Sequence, residues 1–265
     1  MAALDGFTES TSTFDGKARQ VFRRGSGPAV LVLSEIPGIT PSVADFARRV
    51  ADLGCTAVLP SMFGTPGRAP SPGYLARSVT HACVSKEFAT WARNETSPIT
   101  TWLRALARDE HERCGGPGVG VVGMCLTGGF ALAMMVDPVV AAPVLSQPSL
   151  PFVLSKGHKA DVNLTPADLA AVKARCAAEP DLCVLGLRFT GDKLAPGERF
   201  ATLRRELGDS FVGVEIDSSP GNAHGIRAAA HSVLTEDLVD EPGHPTRDAL
   251  DQVLELFRSR LLGAA

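Results

Sequence analysis

Residue types that together perform nucleophilic catalysis occur in this sequence just after segments with the composition of β-strands. Cys125, Asp192, His224 and His231 each follow an apolar run rich in Val, Leu and Phe. A thiol that attacks a carbonyl carbon needs a base to accept its proton, and the base needs an acid that orients it. We therefore predict a site with the chain order nucleophile, acid, base, built from Cys125, Asp192 and one of the two histidines.

Cys125 lies in a sharp turn that we predict between a strand and a helix, in the segment GMCLTGG (123–129). Such a turn exposes the side chain, directs a helix N-terminus at the sulfur and frees the N–H of Leu126 for an oxyanion. The helix dipole favours the thiolate, which is the form that attacks. The pattern indicates a nucleophile elbow, and the alternative is a structural cysteine in a tight turn.

Glycines 118, 120 and 123 formally spell G-x-G-x-x-G, the pattern of dinucleotide-binding proteins. That pattern belongs in the turn after a strand, with an acidic residue about twenty positions further on. Here the glycines flank the two valines of the predicted strand instead of following it, and no acidic residue occurs near position 143. No G-K-[ST] of a phosphate loop follows either. We predict no nucleotide cofactor.

Two carboxylates occupy positions where they could serve a site. Asp192 lies in the first turn after the predicted strand 182–189, where it can orient an imidazole, or it caps the helix that begins near Pro196. Glu35 ends the apolar run 28–35, where a carboxylate is costly unless it is paired or faces a site. The alternative for Glu35 is a solvated charge at a strand end.

Short β-rich runs alternate with helical patterns along the whole chain, which is typical of an α/β fold with a mostly parallel, doubly wound sheet and helices on both faces. We expect one domain, 1–265, in which residues 1–27 form a hairpin turned at Asp15-Gly16. The proline- and glycine-rich segment 60–72 is predicted to be a surface loop that is long enough to border a site, and the alternative is a passive connection. Predicted strands are 28–35, 55–60, 119–122, 139–146, 182–189 and 211–217, and predicted helices include 42–53, 128–136, 165–177, 196–207 and 246–262.

Composition excludes several classes of protein. The net charge of -3 and the lack of a basic run argue against a nucleic-acid partner. No basic-then-apolar leader and no apolar run of membrane-spanning length occur, so we expect a cytoplasmic protein without a membrane partner, as a monomer or small homo-oligomer. The six cysteines form no C-x-x-C pair, so we expect free thiols and no metal.

With these motifs in order, the sequence resembles the dienelactone hydrolase family of the α/β-hydrolases, which uses cysteine where relatives use serine. The resemblance covers roughly residues 28–260. It rests on LVLSEIPGIT for the first core strand and its turn, VVGMCLTGG for the elbow, FTGDKLAP for the acid loop and AHSVL for the histidine segment.

The resemblance implies roles for further residues. Glu35 would sit beside the thiol and help to convert it to thiolate when substrate enters, and Ile36 and Leu126 would donate the N–H groups of the oxyanion hole. The family elbow usually has the form G-x-C-x-G-G, whereas here Thr127 stands before the glycine pair and adds a Cβ where helix and strand approach closely.

Two histidines are candidates for the catalytic base. His224 lies nearer the end of the preceding strand, but His231 is followed by the family's small and apolar residues, and its distance to the predicted helix start at Thr246 resembles the family's connection. We therefore predict His231 as the base. Residues 218–230 are then expected to form a lip over the pocket, with Arg227 at its rim.

We predict a hydrolase of a small ester or lactone in which Cys125 attacks, His231 transfers protons and Asp192 orients His231. No cofactor is expected. Arg227 is a candidate substrate-binding residue, and Arg93 and Arg188 are further candidates. The alternative for each of the three is a solvated surface group. The alternatives are a thioesterase or general carboxylesterase on the same triad, and a non-catalytic binding or redox-sensing protein with a reactive Cys125.

Overall fold

The computed structural model describes residues 3–84, 97–149 and 159–263, and the eight strands in these ranges belong to one sheet. Their order across the sheet is β1-β2-β4-β3-β5-β6-β7-β8. β2 pairs antiparallel with β1 on one side and with β4 on the other, and all other neighbouring strands are parallel. The strands are β1 (Thr8–Phe14), β2 (Lys17–Gly25), β3 (Ala29–Leu33), β4 (Thr56–Pro60), β5 (Val119–Met124), β6 (Val140–Ser146), β7 (Val184–Phe189) and β8 (Phe211–Ile216).

Helices cover both faces of this sheet. Alternate residues of a strand point to opposite faces, so Leu31 of β3 packs in one apolar core and Val32 in the other. The first core contains Trp102 and Phe130, and the second contains Phe46 and Phe257. The helices are α1 (Pro41–Asp52), α2 (Pro72–Val84), α3 (Pro98–Cys114), α4 (Gly128–Met134), α5 (Pro166–Ala178), α6 (Gly197–Leu207) and α7 (Pro245–Phe257).

The predicted hairpin is confirmed, because β1 and β2 pair around Asp15 and Gly16, both of which have positive φ angles, as a tight hairpin turn requires. The predicted helix 165–177 is present as α5, and Thr165 is its N-cap, since its Oγ1 accepts a hydrogen bond of 2.9 Å from the N–H of Asp168. The single-domain boundary 1–265 stays a prediction.

Several predicted boundaries differ from the structure, and two of these differences concern Glu35 and Thr246. β3 ends at Leu33, so Glu35 lies in the turn beyond the strand rather than at its last position. The last helix is capped by His244, whose ring accepts from the N–H of Thr246, because the hydroxyl of Thr246 bonds instead to the backbone of Val239. No helix in the described ranges is both long and apolar enough to cross a membrane.

Candidate active site

The elbow predicted around Cys125 is present at the end of β5. Cys125 has a φ of 57°, which lies in the left-handed region and is energetically unfavourable for any residue with a Cβ. It begins a 3₁₀ turn that leads into α4. A Cβ at Gly123 would overlap the carbonyl of Thr127, and one at Gly128 would lie 2.8 Å from Pro148 Cα. Glycine is therefore required on both sides of the turn because the backbone leaves no room for a side chain.

Thr127, the departure from the family elbow, is fully buried and fits this turn. Its Oγ1 accepts from the N–H of Met124 at 2.7 Å and lies 2.7 Å from the carbonyl oxygen of Leu33, to which it can donate. The hydroxyl thus ties the elbow to the end of β3. The Cβ of Thr127 is accommodated because the closest backbone approaches in this turn are made at Gly123 and Gly128, and not at position 127.

His231 and Asp192 form a buried pair beside the elbow. The distance between His231 Nδ1 and Asp192 Oδ2 is 2.7 Å, and the other Asp192 oxygen accepts from the N–H of Leu194 at 2.9 Å. Burial by itself would lower the pKa of His231, but the Asp192 hydrogen bond and the charges of Asp192 and Cys125 outweigh it and raise that pKa to about 11. Nε2, the ring nitrogen that is not bonded to Asp192, is buried and has no hydrogen-bond partner among the described residues, and Cys125 lines the same cavity as His231.

Glu35 is 4% exposed and held by side chains from distant parts of the chain. Its carboxylate accepts from Ser232 Oγ at 2.7 Å, from Gln147 Nε2 at 3.2 Å and from the hydroxyl of Thr235. Burial raises the pKa of Glu35, and the bonds from Thr235 and Ser232 oppose this rise only in part. The hydrogen bonds of Glu35 are therefore directed to these three partners rather than to Cys125.

A cavity of about 340 Å³ joins these groups. Cys125, His231 and Glu35 line it together with Ile36 and Leu126, the two residues expected to supply oxyanion N–H groups. Leu126 is the second residue of its 3₁₀ turn, so its N–H has no acceptor within that turn. The loop 60–72 borders the same cavity through Pro70, which confirms the predicted position of that loop.

The structure does not bring His224 or Arg227 to this cavity. His224 is exposed and packs against the ring of His244. The side chain of Arg227 is 69% exposed and pairs with Asp237 at 2.8 Å. The expected lip is wrong, because residues 218–230, all described, do not line the cavity; the Asn222 side chain bonds the backbone of Ile226 and closes the segment on itself.

The other two arginines have different outcomes. Arg188 is 4% exposed, so the expectation of a solvated surface group is wrong. It pairs with Glu215 and donates to the carbonyls of Ala195 and Thr190, which fixes both ends of the loop that carries Asp192. Arg93 lies outside the described residues.

Sequence reasoning missed two residues that position the histidine segment. Asp237 accepts from the N–H groups of His231 and Ser232 at 2.8 and 3.0 Å, which fixes the backbone at the base. An aspartate six residues after His231, in a turn-rich segment, is the signal that could have indicated it. Gln147 gives no such signal, because it reaches Glu35 only through the sheet order. Within the described residues, no group of three or more His, Cys, Asp or Glu side chains could hold a metal ion.

Comparison with known proteins places this geometry in a family. The model of the dienelactone hydrolase family matches residues 17–261. A comparison with curated proteins found no match.

Solved structures share the fold at low identity. A dienelactone hydrolase-like promiscuous phosphotriesterase from metagenomic libraries has 17% identity and a TM-score of 0.61, over 96% of this chain and 98% of that one. A cold-adapted esterase from an Arctic intertidal metagenomic library has 13% identity and a TM-score of 0.58, over 96% and 92%. The thioesterase domain from the curacin biosynthetic pathway has 12% identity and a TM-score of 0.56, over 95% and 100%. These similarities confirm the predicted α/β-hydrolase fold.

The family model spans most of the sequence, and the solved structures share the fold. The chain therefore belongs to the dienelactone hydrolase family and is an ester-bond hydrolase of the α/β-hydrolase fold.

Proposed function

We propose that this protein hydrolyses a small ester or lactone through a thioester formed on Cys125. The Cys125 thiolate attacks the carbonyl carbon, and the carbonyl oxygen becomes an oxyanion held by the N–H groups of Ile36 and Leu126. His231 then gives its proton to the leaving alkoxide as the C–O bond breaks. Water attacks the thioester with His231 as base, which releases the acid and restores the thiolate.

The observation that carries this proposal is that Asp192 is bonded to His231, and that His231 and Cys125 line one cavity. The strained elbow presents Cys125 to it, and the buried pair of Asp192 and His231 lies beside the thiol, with Nδ1 and Oδ2 2.7 Å apart. Asp192 fixes the ring so that Nε2 is the nitrogen available to exchange a proton with the thiol or the leaving group.

The protonation of His231 supports a thiolate mechanism. With a pKa raised to about 11, the imidazole is a cation at neutral pH. A cation beside a cysteine stabilises the thiolate once the thiol has given up its proton, as does the start of α4 directly after the elbow. The same imidazolium can then act as the acid that protonates the leaving alkoxide.

Glu35 is proposed as the acceptor that takes the thiol proton when substrate enters. It lines the same cavity as Cys125, and burial raises the pKa of its carboxyl group, which makes it a better proton acceptor than an ordinary carboxylate. To reach the thiol, the carboxylate has to release one of its three hydrogen-bond partners. Ser232, next to the base in sequence, is the partner whose movement would couple Glu35 to His231.

A thioesterase on the same triad is the second candidate, because the fold is shared with both an esterase and a thioesterase domain. An oxygen ester and a thioester of the same acyl group separate the two activities in parallel assays. We also propose a cytoplasmic location, since thiols persist in reducing compartments. The free thiols that support it are those of Cys55, Cys114, Cys125, Cys176 and Cys183.

Side-by-side kinetics of two histidine variants test the proposed base. His231→Ala is expected to lower the kcat for an activated phenyl ester by at least about two orders of magnitude, because it removes the partner of Asp192. His224→Ala is the matched control and is expected to retain most turnover, since that ring is exposed and outside the cavity. The reverse ranking would move the base to His224.

A further inference from the structure

The wall of the catalytic cavity is largely apolar. Six of its described lining residues present hydrocarbon to the space above Cys125, namely Ile36, Pro37, Pro70, Leu75, Leu126 and Leu194. Two of them are left in contact with solvent, since Leu75 is 43% exposed and Leu194 is 51% exposed. Exposed apolar side chains grouped at one cavity mark a surface that an apolar ligand would cover.

The charged groups of this wall are unusual for a site that binds a carboxylate. Apart from His231, which is paired with Asp192, the charged lining residues in the described ranges are the acids Glu35 and Glu236, and no lysine or arginine lines the cavity there. The two carboxylates repel each other, and the charge of Glu236 contributes to the raised pKa of Glu35. Arg199, a buried cation whose charge interacts with Cys125, is not a lining residue and donates to the carbonyls of Asp161 and Pro148.

Glu236 is placed to act on substrate charge. It forms no ion pair with any described residue, and the hydroxyl of Thr40 donates to its Oε1 at 3.3 Å. Thr40 is itself the N-cap of α1, so the carboxylate lies near a helix N-terminus, where a negative charge is favoured. Glu236 is exposed to solvent and lines the cavity, so its carboxylate is one that a substrate meets there.

We propose that this cavity selects esters whose body is apolar and carries no negative charge, and that Glu236 is a specificity-determining residue that repels anionic substrates. The inference rests on the proposed ester hydrolysis at Cys125 and adds the class of substrate. An anionic ester would have to leave water for a wall that offers it hydrocarbon and two carboxylates.

Two esters of equal chain length test the inference: phenyl hexanoate and monophenyl adipate, which differ by a terminal methyl against a terminal carboxylate. For the wild-type protein we expect kcat/KM for the neutral ester to exceed that for the anionic ester by at least about tenfold. Glu236→Gln is expected to narrow this ratio by about three- to tenfold, chiefly by raising kcat/KM for the adipate. Added salt should narrow the wild-type ratio and leave that of Glu236→Gln less affected.

Glu241→Gln is the matched control, because Glu241 is exposed, lies five residues away and does not line the cavity. It should keep the wild-type ratio. Equal kcat/KM for both esters, a preference for the adipate, or a ratio unchanged by Glu236→Gln would overturn the inference while ester hydrolysis stands. If the wild-type protein cleaves neither ester, the proposed function itself fails.

Discussion

Replacing Glu35 by glutamine separates a chemical role of this carboxylate from a structural one. An amide oxygen in place of Oε2 can still accept from Gln147 and Ser232, and the amide nitrogen in place of Oε1 can donate to the hydroxyl of Thr235. All three hydrogen bonds are therefore preserved in number. We expect Glu35→Gln to change the free energy of unfolding by no more than about 1 kcal/mol, and to lose most of the ester turnover because the amide cannot accept the thiol proton.

Glu35→Ala provides the contrast for this prediction. It leaves three donors without their acceptor in a buried site, and at about 1 kcal/mol for each donor it should lower the free energy of unfolding by about 3 kcal/mol. Urea unfolding of both variants and the wild type, together with turnover of phenyl hexanoate, gives both quantities. Wild-type turnover in Glu35→Gln would refute the proton-acceptor role, and a loss of several kcal/mol in that variant would refute the hydrogen-bond argument.

The pH dependence of stability is an independent test of the environment of Glu35. The folded-state pKa of Glu35 is raised above its ordinary value of 4.5, so the folded protein holds this proton to higher pH than the unfolded chain does. The contribution of Glu35 to stability is therefore greatest below pH 4.5 and is lost as the pH rises through the folded-state pKa. Glu35→Gln should gain stability relative to the wild type as the pH is raised over this range, and the opposite trend would contradict the assignment of burial as the dominant cause.

Two further substitutions test how the triad and the elbow are held. Asp192→Asn should lower kcat by at least about two orders of magnitude. It should also lower the pKa of His231, measured by NMR titration of the ring, because it removes the negative charge that raises that pKa. An unchanged pKa of His231 would contradict this cause. Gly123→Ala should lower the free energy of unfolding by at least about 2 kcal/mol, since its Cβ would overlap the Thr127 carbonyl, whereas Gly73→Ala, with open space around its Cβ and an ordinary φ, should be neutral. Equal stability of these two alanine variants would show that the backbone of the elbow can move to make room for a Cβ at position 123.

The sequence predicts most of this fold and the order of the triad because the deciding signals are local. Apolar β-rich runs specify buried strands, and the glycines on either side of Cys125 mark a turn whether or not its neighbours are known. The partners of Glu35 are different. Ser232 is 197 residues away along the chain and Gln147 is 112 away. Gln147 reaches Glu35 because β3 and β6 both flank β5, and Ser232 reaches it from the segment that follows β8.

The predictions that failed did so for related reasons. Arg188 looks like a surface charge in the sequence, but it is buried because Glu215 on β8 and two loop carbonyls satisfy its guanidinium. The lip was expected from the spacing between β8 and His231, and spacing does not show that Asn222 folds the segment onto itself. The last helix begins at Pro245 rather than at Thr246, because the side chain of His244 supplies a cap that is uncommon for its type.

Site-resolved alkylation with iodoacetamide near neutral pH tests most directly the central claim that Cys125 is the nucleophile. Burial raises the pKa of Cys55 to about 11 and also raises the pKa of Cys114, Cys176 and Cys183, so these thiols should react slowly. Mass spectrometry of peptides is expected to find Cys125 labelled first of all six cysteines, with ester turnover lost in proportion to that label and absent in a folded Cys125→Ala variant. If another cysteine is labelled as fast, or if the labelled protein or the alanine variant still cleaves the ester, Cys125 is not the nucleophile.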